Sequence, residues 1–335
     1  MNFCLIWRGL KNPYAALKYI LGNLKIIIFS RIEYGENIFE DDWDILIILD
    51  ACRVDALKNV QNEYAFLDDI SSVTSLGSHS AEFMLQNFSQ EHMAIINQTG
   101  LISANHFAKV IFDYALNSPE QSLDYNLRTV ERLKKYGSWD TVTKDDFAFT
   151  EFAWEYVDPG NNDILNISAS DVPKYITPPD MITDIAINKS MTGDCERLIL
   201  HYFQPHTPYL FSAIVEERGL REIEQRPRMC IKEGKADFET VYNLYLDELR
   251  WALDSIDRLL KSIEANKVII TADHGEAFGE FGTYGHPIFS LVPQVKKVPR
   301  VVTQANKIND HPHDIPAEKD DFANPIEILK KLGYF

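Results

Sequence analysis

Four short apolar runs limit what this chain can fold into more than any other feature: Asp44-Ile-Leu-Ile-Ile-Leu49, Met93-Ala-Ile-Ile96, Leu198-Ile-Leu200 and Val268-Ile-Ile270. Unbroken apolarity over so few residues fits strands covered on both faces, as in a parallel sheet, whereas a sheet with one wet face would alternate. Between the last two runs, Tyr242, Tyr245, Leu249, Ala252, Leu253, Ile256, Leu259, Leu260 and Ile263 keep helical spacing and stop near Asn266, just before the next strand. This is an αβ unit, and the expected fold is one α/β domain with a mostly parallel central sheet. A chain of 335 residues, 45% of them hydrophobic, is long enough to bury the large core such a sheet needs. The polar stretch 117–192, with two aspartate-rich patches and Pro178-Pro179, is expected to form loops and helices over one end of the sheet rather than a separate domain.

Charge divides the chain in two. The formal net charge is −17, which excludes wrapping a nucleic acid, because phosphate backbones are held mainly by Lys and Arg. Residues 1–31 run against this balance, with Arg8, Lys11, Lys18, Lys25 and Arg31 and no acid. Within them Leu10, Tyr14, Leu17, Leu21, Leu24 and Ile28 recur at steps of four and three, the stripe of an amphipathic helix whose first turn Pro13 suits. Residues 1–40 are therefore expected as a helical arm on a body formed by residues 41–335. The arm has two readings: packing on its own domain or on a second copy in a homo-oligomer, or lying peripherally on an anionic membrane. Lys18 and Lys25 interrupt any span of membrane-crossing length, no cleavage site follows, and the four cysteines Cys4, Cys52, Cys195 and Cys230 lie far apart with no CxxC pair. The expectation is free thiols and a cytoplasmic protein, peripheral to the membrane if the arm lies on it.

Polar residues stand where the apolar runs stop. Asp50 ends the first; His201, Gln204 and His206 follow the third; Asp273 and His274 end the fourth, ahead of Gly275, Glu276, Glu280 and His286. Ligands of open α/β sheets bind outside the carboxyl ends of the strands, so these distant segments can converge on one point. Carboxylate oxygens with imidazole nitrogens suit zinc or manganese, while calcium and magnesium prefer more oxygen. Gly275 is expected to permit the sharp turn that lets Asp273 and His274 reach one ion.

The segments Leu-Asp50-Ala-Cys-Arg53-Val-Asp55, Gly77-Ser78-His-Ser80-Ala-Glu82-Phe83, His201-Tyr-Phe-Gln-Pro205-His206-Thr-Pro208-Tyr209 and Thr271-Ala-Asp273-His274-Gly275-Glu276 resemble, in order and spacing, the motifs of the alkaline phosphatase superfamily. Within it they are most similar to the sulfatase-like hydrolases and transferases. His286, twelve residues after His274, is similar to a histidine of the phosphoethanolamine transferase branch. Ser78-x-x-x-Glu-Phe resembles the nucleophile segment of that branch and of lipoteichoic-acid synthases. The resemblance implies a three-layer α/β catalytic domain in which the first strand's acid, a nucleophile at a helix start and the Asp-His pair hold one divalent metal. Later histidines bind a second metal or the transferred group.

Elementary chemistry leads to the same roles. A phosphate ester repels an anionic nucleophile, so its cleavage needs cations on the ester oxygens and a deprotonated hydroxyl. Asp50, Asp273 and His274 are the expected metal ligands, with Ser78 as ligand and nucleophile at the start of a helix over 78–88, and His206 and His286 as catalytic groups. Thr74, Ser75 and Ser80 compete with Ser78 as nucleophile, and His79, His201, His311 and His313 are expected as bystanders. Arg53 and Asp55 are expected to pair structurally, and Glu82, Glu276 and Glu280 to support ligands or face solvent. The expected function is hydrolysis or transfer of a phosphate ester on a small molecule, glycan or lipid precursor. Two alternatives stand beside it: sulfatase-like cleavage of sulfate esters without formylglycine, and a non-catalytic relative that binds a glycan or protein. The chain lacks the Cys/Ser-x-Pro-Ser-Arg pattern that sulfatases oxidise, and Ala51 stands where they carry a second acid, which disfavours calcium.

Overall fold

The computed structural model of the protein describes residues 13–113, 125–156 and 177–308. Helix α1 (Pro13–Phe29) leads into β1 (Ile45–Leu49) and α2 (Val54–Asn59), then β2 (Ser71–Thr74), α3 (Ser80–Asn87), α4 (Met93–Ile96), β3 (Thr99–Ser103), α5 (Phe107–Phe112) and α6 (Tyr125–Tyr136). There follow β4 (Phe149–Phe152), α7 (Pro179–Thr192), β5 (Arg197–Tyr202), α8 (Phe238–Leu260), β6 (Ala265–Thr271), the short strands β7 (Ala277–Phe278) and β8 (Tyr284–Gly285), and β9 (Lys297–Ala305). Seven strands form one sheet in the order β2-β9-β6-β1-β5-β3-β4. The run from β6 to β4 is parallel, and only β9 pairs antiparallel, with β6 on one side and β2 on the other.

Three of the four apolar runs are central strands: β1, β5 and β6 are adjacent, and every residue of β1 is buried. The fourth is not. Met93–Ile96 forms α4, and the strand beside β5 is Thr99–Ser103. A four-residue apolar run carries too few periods to separate strand from helix, and the true strand is disguised by its Gly100. That glycine is required by packing: a Cβ there would lie 2.4 Å from the ring of Phe149, its partner on β4.

Helix α8 follows its predicted spacing. Its Asp237 cap accepts from the Thr240 amide at 2.7 Å, and Tyr245, Leu249, Leu253, Ile256 and Leu260 are buried. Helix α1 starts at Pro13 and packs on the domain, but not through its apolar stripe. It is held by buried Ile26, by Phe29 stacked 5.4 Å from Phe289, and by Arg132 of α6, which donates to the Asn23 side chain at 2.8 Å. The stripe of Tyr14, Leu17, Leu21, Leu24 and Ile28 is exposed. Leu10, residues 117–124 and 157–176 of the polar stretch, and the His311 and His313 pair lie outside the described residues. Among the described residues, no helix is long and apolar enough to cross a membrane. Cys52, Cys195 and Cys230 are free thiols.

Glu248 is an acid fully enclosed in this core, on α8, where it accepts from the Phe211 amide. Burial pushes its carboxyl up to about 8, so it is neutral in the folded chain at neutral pH. The unfolded chain ionises near the ordinary value, so folding binds a proton between roughly pH 4.5 and 8 and stability falls as pH rises through that window. Glu248→Gln keeps the shape without the titration. In paired urea titrations the variant should match the native chain near pH 5 and exceed it at pH 8 by on the order of 2–4 kcal/mol. Parallel stability curves would show that Glu248 does not titrate in this way.

Candidate metal centre and catalytic site

The parallel strands bring their carboxyl ends level. Leu49 of β1 is in register with Tyr202 of β5, Ile48 with Thr271 of β6, and Ser103 of β3 with His201. Residues at and just past those ends meet: Asp50 after β1, Asn105 after β3, His201 as the penultimate residue of β5, and Asp273 with His274 after β6. Ligand atoms of Asp50, Asp273 and His274 all lie within 4.8 Å of one another, and all three residues are fully buried.

Each ligand is oriented by its second polar atom. Asp273 Oδ1 accepts from the amides of Ala51 at 3.1 Å and His274 at 2.8 Å, which aims Oδ2 inward. Asn105 donates to Asp50 Oδ2 at 2.6 Å, leaving Oδ1 inward. His274 Nδ1 faces the Gly275 carbonyl at 2.9 Å, so Nδ1 carries the proton and Nε2 presents its lone pair. That Nε2 is 3.3 Å from Asp273 Oδ2 and 3.7 Å from Asp50 Oδ1, and His201 Nε2 is 3.7 Å from Asp273 Oδ2. Asp50 Oδ1, Asp273 Oδ2 and His201 Nε2 are buried without hydrogen-bond partners. Two buried carboxylate oxygens without a donor cost several kcal/mol unless a cation receives them, and together with the adjacent imidazole nitrogens they form a donor set that fits a divalent metal.

The electrostatics follow from this crowding. Burial, then the neighbouring Asp273, raises the Asp50 carboxyl well above its ordinary range. Burial opposes ionisation of Asp273 too, but His274 and His201 outweigh it and hold that carboxyl far down. Gly275 is needed for a different reason from the expected one. Its backbone is not in the left-handed region; rather, a Cβ would meet the Gln294 carbonyl oxygen at 2.1 Å, so glycine allows the Asp-His segment to lie against the chain after Val292.

Two serines of the second motif take different places. Ser78 is fully buried; its Oγ lies 2.7 Å from Glu82 Oε2 and 3.0 Å from the Pro287 carbonyl and accepts from the Ser290 amide at 2.9 Å. Glu82 also accepts from the amides of Ser78 and Phe289. These contacts tie the α3 turn to residues 287–290 and point the Ser78 hydroxyl toward them rather than toward the ligand cluster. Ser80, the first residue of α3, has its Oγ 3.2 Å from His274 Nε2. The helix begins at Ser80, two residues later than expected, with His79 as its cap accepting from the Ala81 amide.

Four histidine rings pack together beside the ligand cluster. The ring of His286 is centred 4.2 Å from that of His274, 5.1 Å from His206 and 5.5 Å from His79. His206 Nδ1 faces the Thr207 carbonyl at 2.6 Å, so its proton sits on Nδ1 and Nε2 is the acceptor, while His286 Nδ1 lies between Glu276 Oε2 and an N–H of Arg228. Burial, then neighbouring His286 and Arg228, lowers His206 well below the usual imidazole range; burial, then His274 and Arg228, does the same to His286, and burial brings His79 to about 3. All three are neutral imidazoles. Arg228, on the short helix Pro227–Lys232, is 3.2 Å from Glu276 and 3.5 Å from His286 Nδ1. Arg53 pairs with Asp55 at 2.7 Å and with Glu280 at 2.6 Å, as a structural clamp on the 276–280 segment.

His201 and His79, expected as bystanders, lie in the site, as do Asn105 and Arg228, which the sequence pattern does not mark. His201 carries the same signal as Asp50, a polar residue closing an apolar strand, and Asn105 carries it once Thr99–Ser103 is known to be the strand. Arg228 carries none.

Neither a scan against protein-family models nor a search of curated proteins gives a match. Solved structures to which the chain is similar include the C-terminal periplasmic domain of a phosphoethanolamine transferase from Campylobacter jejuni, at 15% identity and a TM-score of 0.42, covering 78% of each chain. The soluble domain of lipooligosaccharide phosphoethanolamine transferase A from Neisseria meningitidis is similar at 12% identity and a TM-score of 0.44, covering 78% of this chain and 75% of that one. The lipoteichoic acid synthase LtaP from Listeria monocytogenes is similar at 9% identity and a TM-score of 0.34, covering 91% and 81%.

Proposed function

We propose that this protein is a metal-dependent hydrolase or transferase of phosphate esters that works through a seryl nucleophile, and that the nucleophile is Ser80. The observation that carries the reading is the convergence of the orphaned Asp50 Oδ1 and Asp273 Oδ2 on His274 Nε2, with the Ser80 hydroxyl 3.2 Å from that same nitrogen. Asp50, Asp273 and His274 would hold the cation, with His201 beside them, and zinc or manganese suits these donors better than calcium or magnesium. When bound, such a cation neutralises charge on the ester oxygens and favours the ionised form of an adjacent hydroxyl.

The chain's own groups do the rest. The α3 turn, fixed by Glu82 and Ser78, holds Ser80 at a helix start where free amides favour an anionic group. His206, neutral and with Nε2 as acceptor, and His286, also neutral, can take a proton from the incoming hydroxyl or water, or serve as ligands of a second cation. Glu276 and Arg228 flank His286 Nδ1 and fix the ring, and Arg228 places a fixed positive charge beside it.

Ser80→Ala should lower turnover of an aryl phosphate ester by about 10³-fold or more while retaining metal, whereas Ser78→Ala should lower stability by about 1–3 kcal/mol and leave turnover within a few-fold, since it strips partners from Glu82 and the Ser290 amide. Mass spectrometry of substrate-quenched enzyme should place the adduct on the peptide at Ser80. An adduct on Ser78, or full turnover in Ser80→Ala, would overturn the assignment.

Chelation should abolish cleavage, and zinc or manganese should restore it. Asp273→Ala, which removes the inward Oδ2, should bind the metal at least about tenfold more weakly, measured by calorimetry on the stripped protein. Undiminished affinity in that variant would remove Asp273 from the metal site, and no cleavage by metal-replete protein across phosphate and sulfate esters would favour a binding role over catalysis.

A further inference from the structure

The outward stripe of α1 has no counterpart elsewhere on the described surface. Tyr14, Leu17, Leu21, Leu24 and Ile28 lie on one side of a 17-residue helix, each between 46% and 76% exposed, with Ile20 beside them at 53%. The opposite side of the helix binds the domain through Ile26, Asn23 and Phe29, so the exposed stripe is not a consequence of a detached helix. Apolar side chains aligned over four turns form a contiguous patch, and such patches mark docking surfaces.

Charge selects the occupant. Residues 1–31 hold five basic side chains and no acid in a protein of net charge −17. Lys25 and Arg31 are exposed along α1, and Lys135 is exposed on α6 behind it. Two copies sharing this face would bring two basic, acid-free segments together, whereas anionic headgroups would be met by opposite charge. An anionic surface would repel the acidic body, so contact is favourable in one orientation, with α1 down.

The catalytic site lies on that same side. A cavity of about 330 Å³ runs beneath α1, lined by Lys25 and Ile26 of α1, Arg132 and Leu133 of α6, Phe289 and His79. His79 is the cap of the Ser80 helix, and its ring is centred 5.5 Å from that of His286. The cavity carries Lys25 and Arg132 on its helical wall, between the inner face of α1 and the His79 side of the site of proposed ester cleavage.

We infer that the outward face of α1 docks this protein in the interface of an anionic lipid bilayer, placing the cavity beside His79 at the membrane surface. This deepens the proposed function by making the membrane the source of the substrate, a lipid-linked phosphate ester, but it is tested without turnover. The full chain should co-sediment with vesicles of phosphatidylglycerol and phosphatidylcholine and not with phosphatidylcholine alone, and added salt should weaken binding. The triple variant Leu17→Glu, Leu21→Glu, Leu24→Glu should bind at least about tenfold more weakly while keeping metal content and cleavage of 4-nitrophenyl phosphate. Failure of the native chain to bind anionic vesicles, or equal binding by the variant, overturns the inference. So does light scattering that shows a native dimer split by the variant, which would assign the face to a second copy. Binding to vesicles without ester cleavage would sink the catalytic reading and leave the docking intact; cleavage without binding would do the reverse.

Discussion

Two carboxylates buried against each other set the terms for the rest of the structure. Asp50 and Asp273 follow neighbouring parallel strands, both are fully enclosed, and each turns one oxygen toward a point where no protein donor waits. Like charges at that depth are tolerated only if one is neutralised or a cation lies between them. The surrounding contacts are arranged as the proposed cation site requires. Amides of Ala51 and His274 and the side chain of Asn105 occupy the outward oxygens, and the Gly275 carbonyl fixes the imidazole tautomer. Ala51 adopts a φ of 60°, a left-handed conformation costly for alanine, and its carbonyl accepts from Tyr245 of α8. The strain sits next to the ligand it helps to aim.

From this centre the outer parts acquire reasons. Ser78 reads as the nucleophile in sequence, yet its bond to Glu82 holds the turn from which Ser80 projects. Glu276 and Arg228 fix the ring of His286, and Arg53 fixes the segment carrying Glu276 through its carbonyl and through Glu280. His79, His206 and His286 are kept neutral by burial and by neighbouring positive groups, so each offers one ring nitrogen as an acceptor.

Much of this is legible in the amino-acid sequence. Continuous apolarity reads as buried parallel strands for β1, β5 and β6 because those strands are covered on both faces, and the polar residues closing them mark the site. What the sequence hides has specific causes. Met93–Ile96 and Thr99–Ser103 exchange roles because Gly100 is dictated by the Phe149 ring on the neighbouring strand, a contact 49 residues away in sequence. With that strand disguised, Asn105 is hidden too. Ser78 and Ser80 are two residues apart, and the choice between them depends on contacts with Pro287 and Ser290, which sequence spacing does not encode. The stripe of α1 is visible as a periodicity, but periodicity does not say whether an apolar face is turned inward or outward.

The central claim is that one divalent cation belongs between Asp50 and Asp273. Anomalous diffraction from zinc-loaded crystals, recorded on both sides of the metal edge, tests it directly. The account predicts a peak in contact with Asp50 Oδ1, Asp273 Oδ2 and His274 Nε2, within about 2.3 Å of each. An ion bound elsewhere, or no peak at this point in metal-replete crystals, would contradict it.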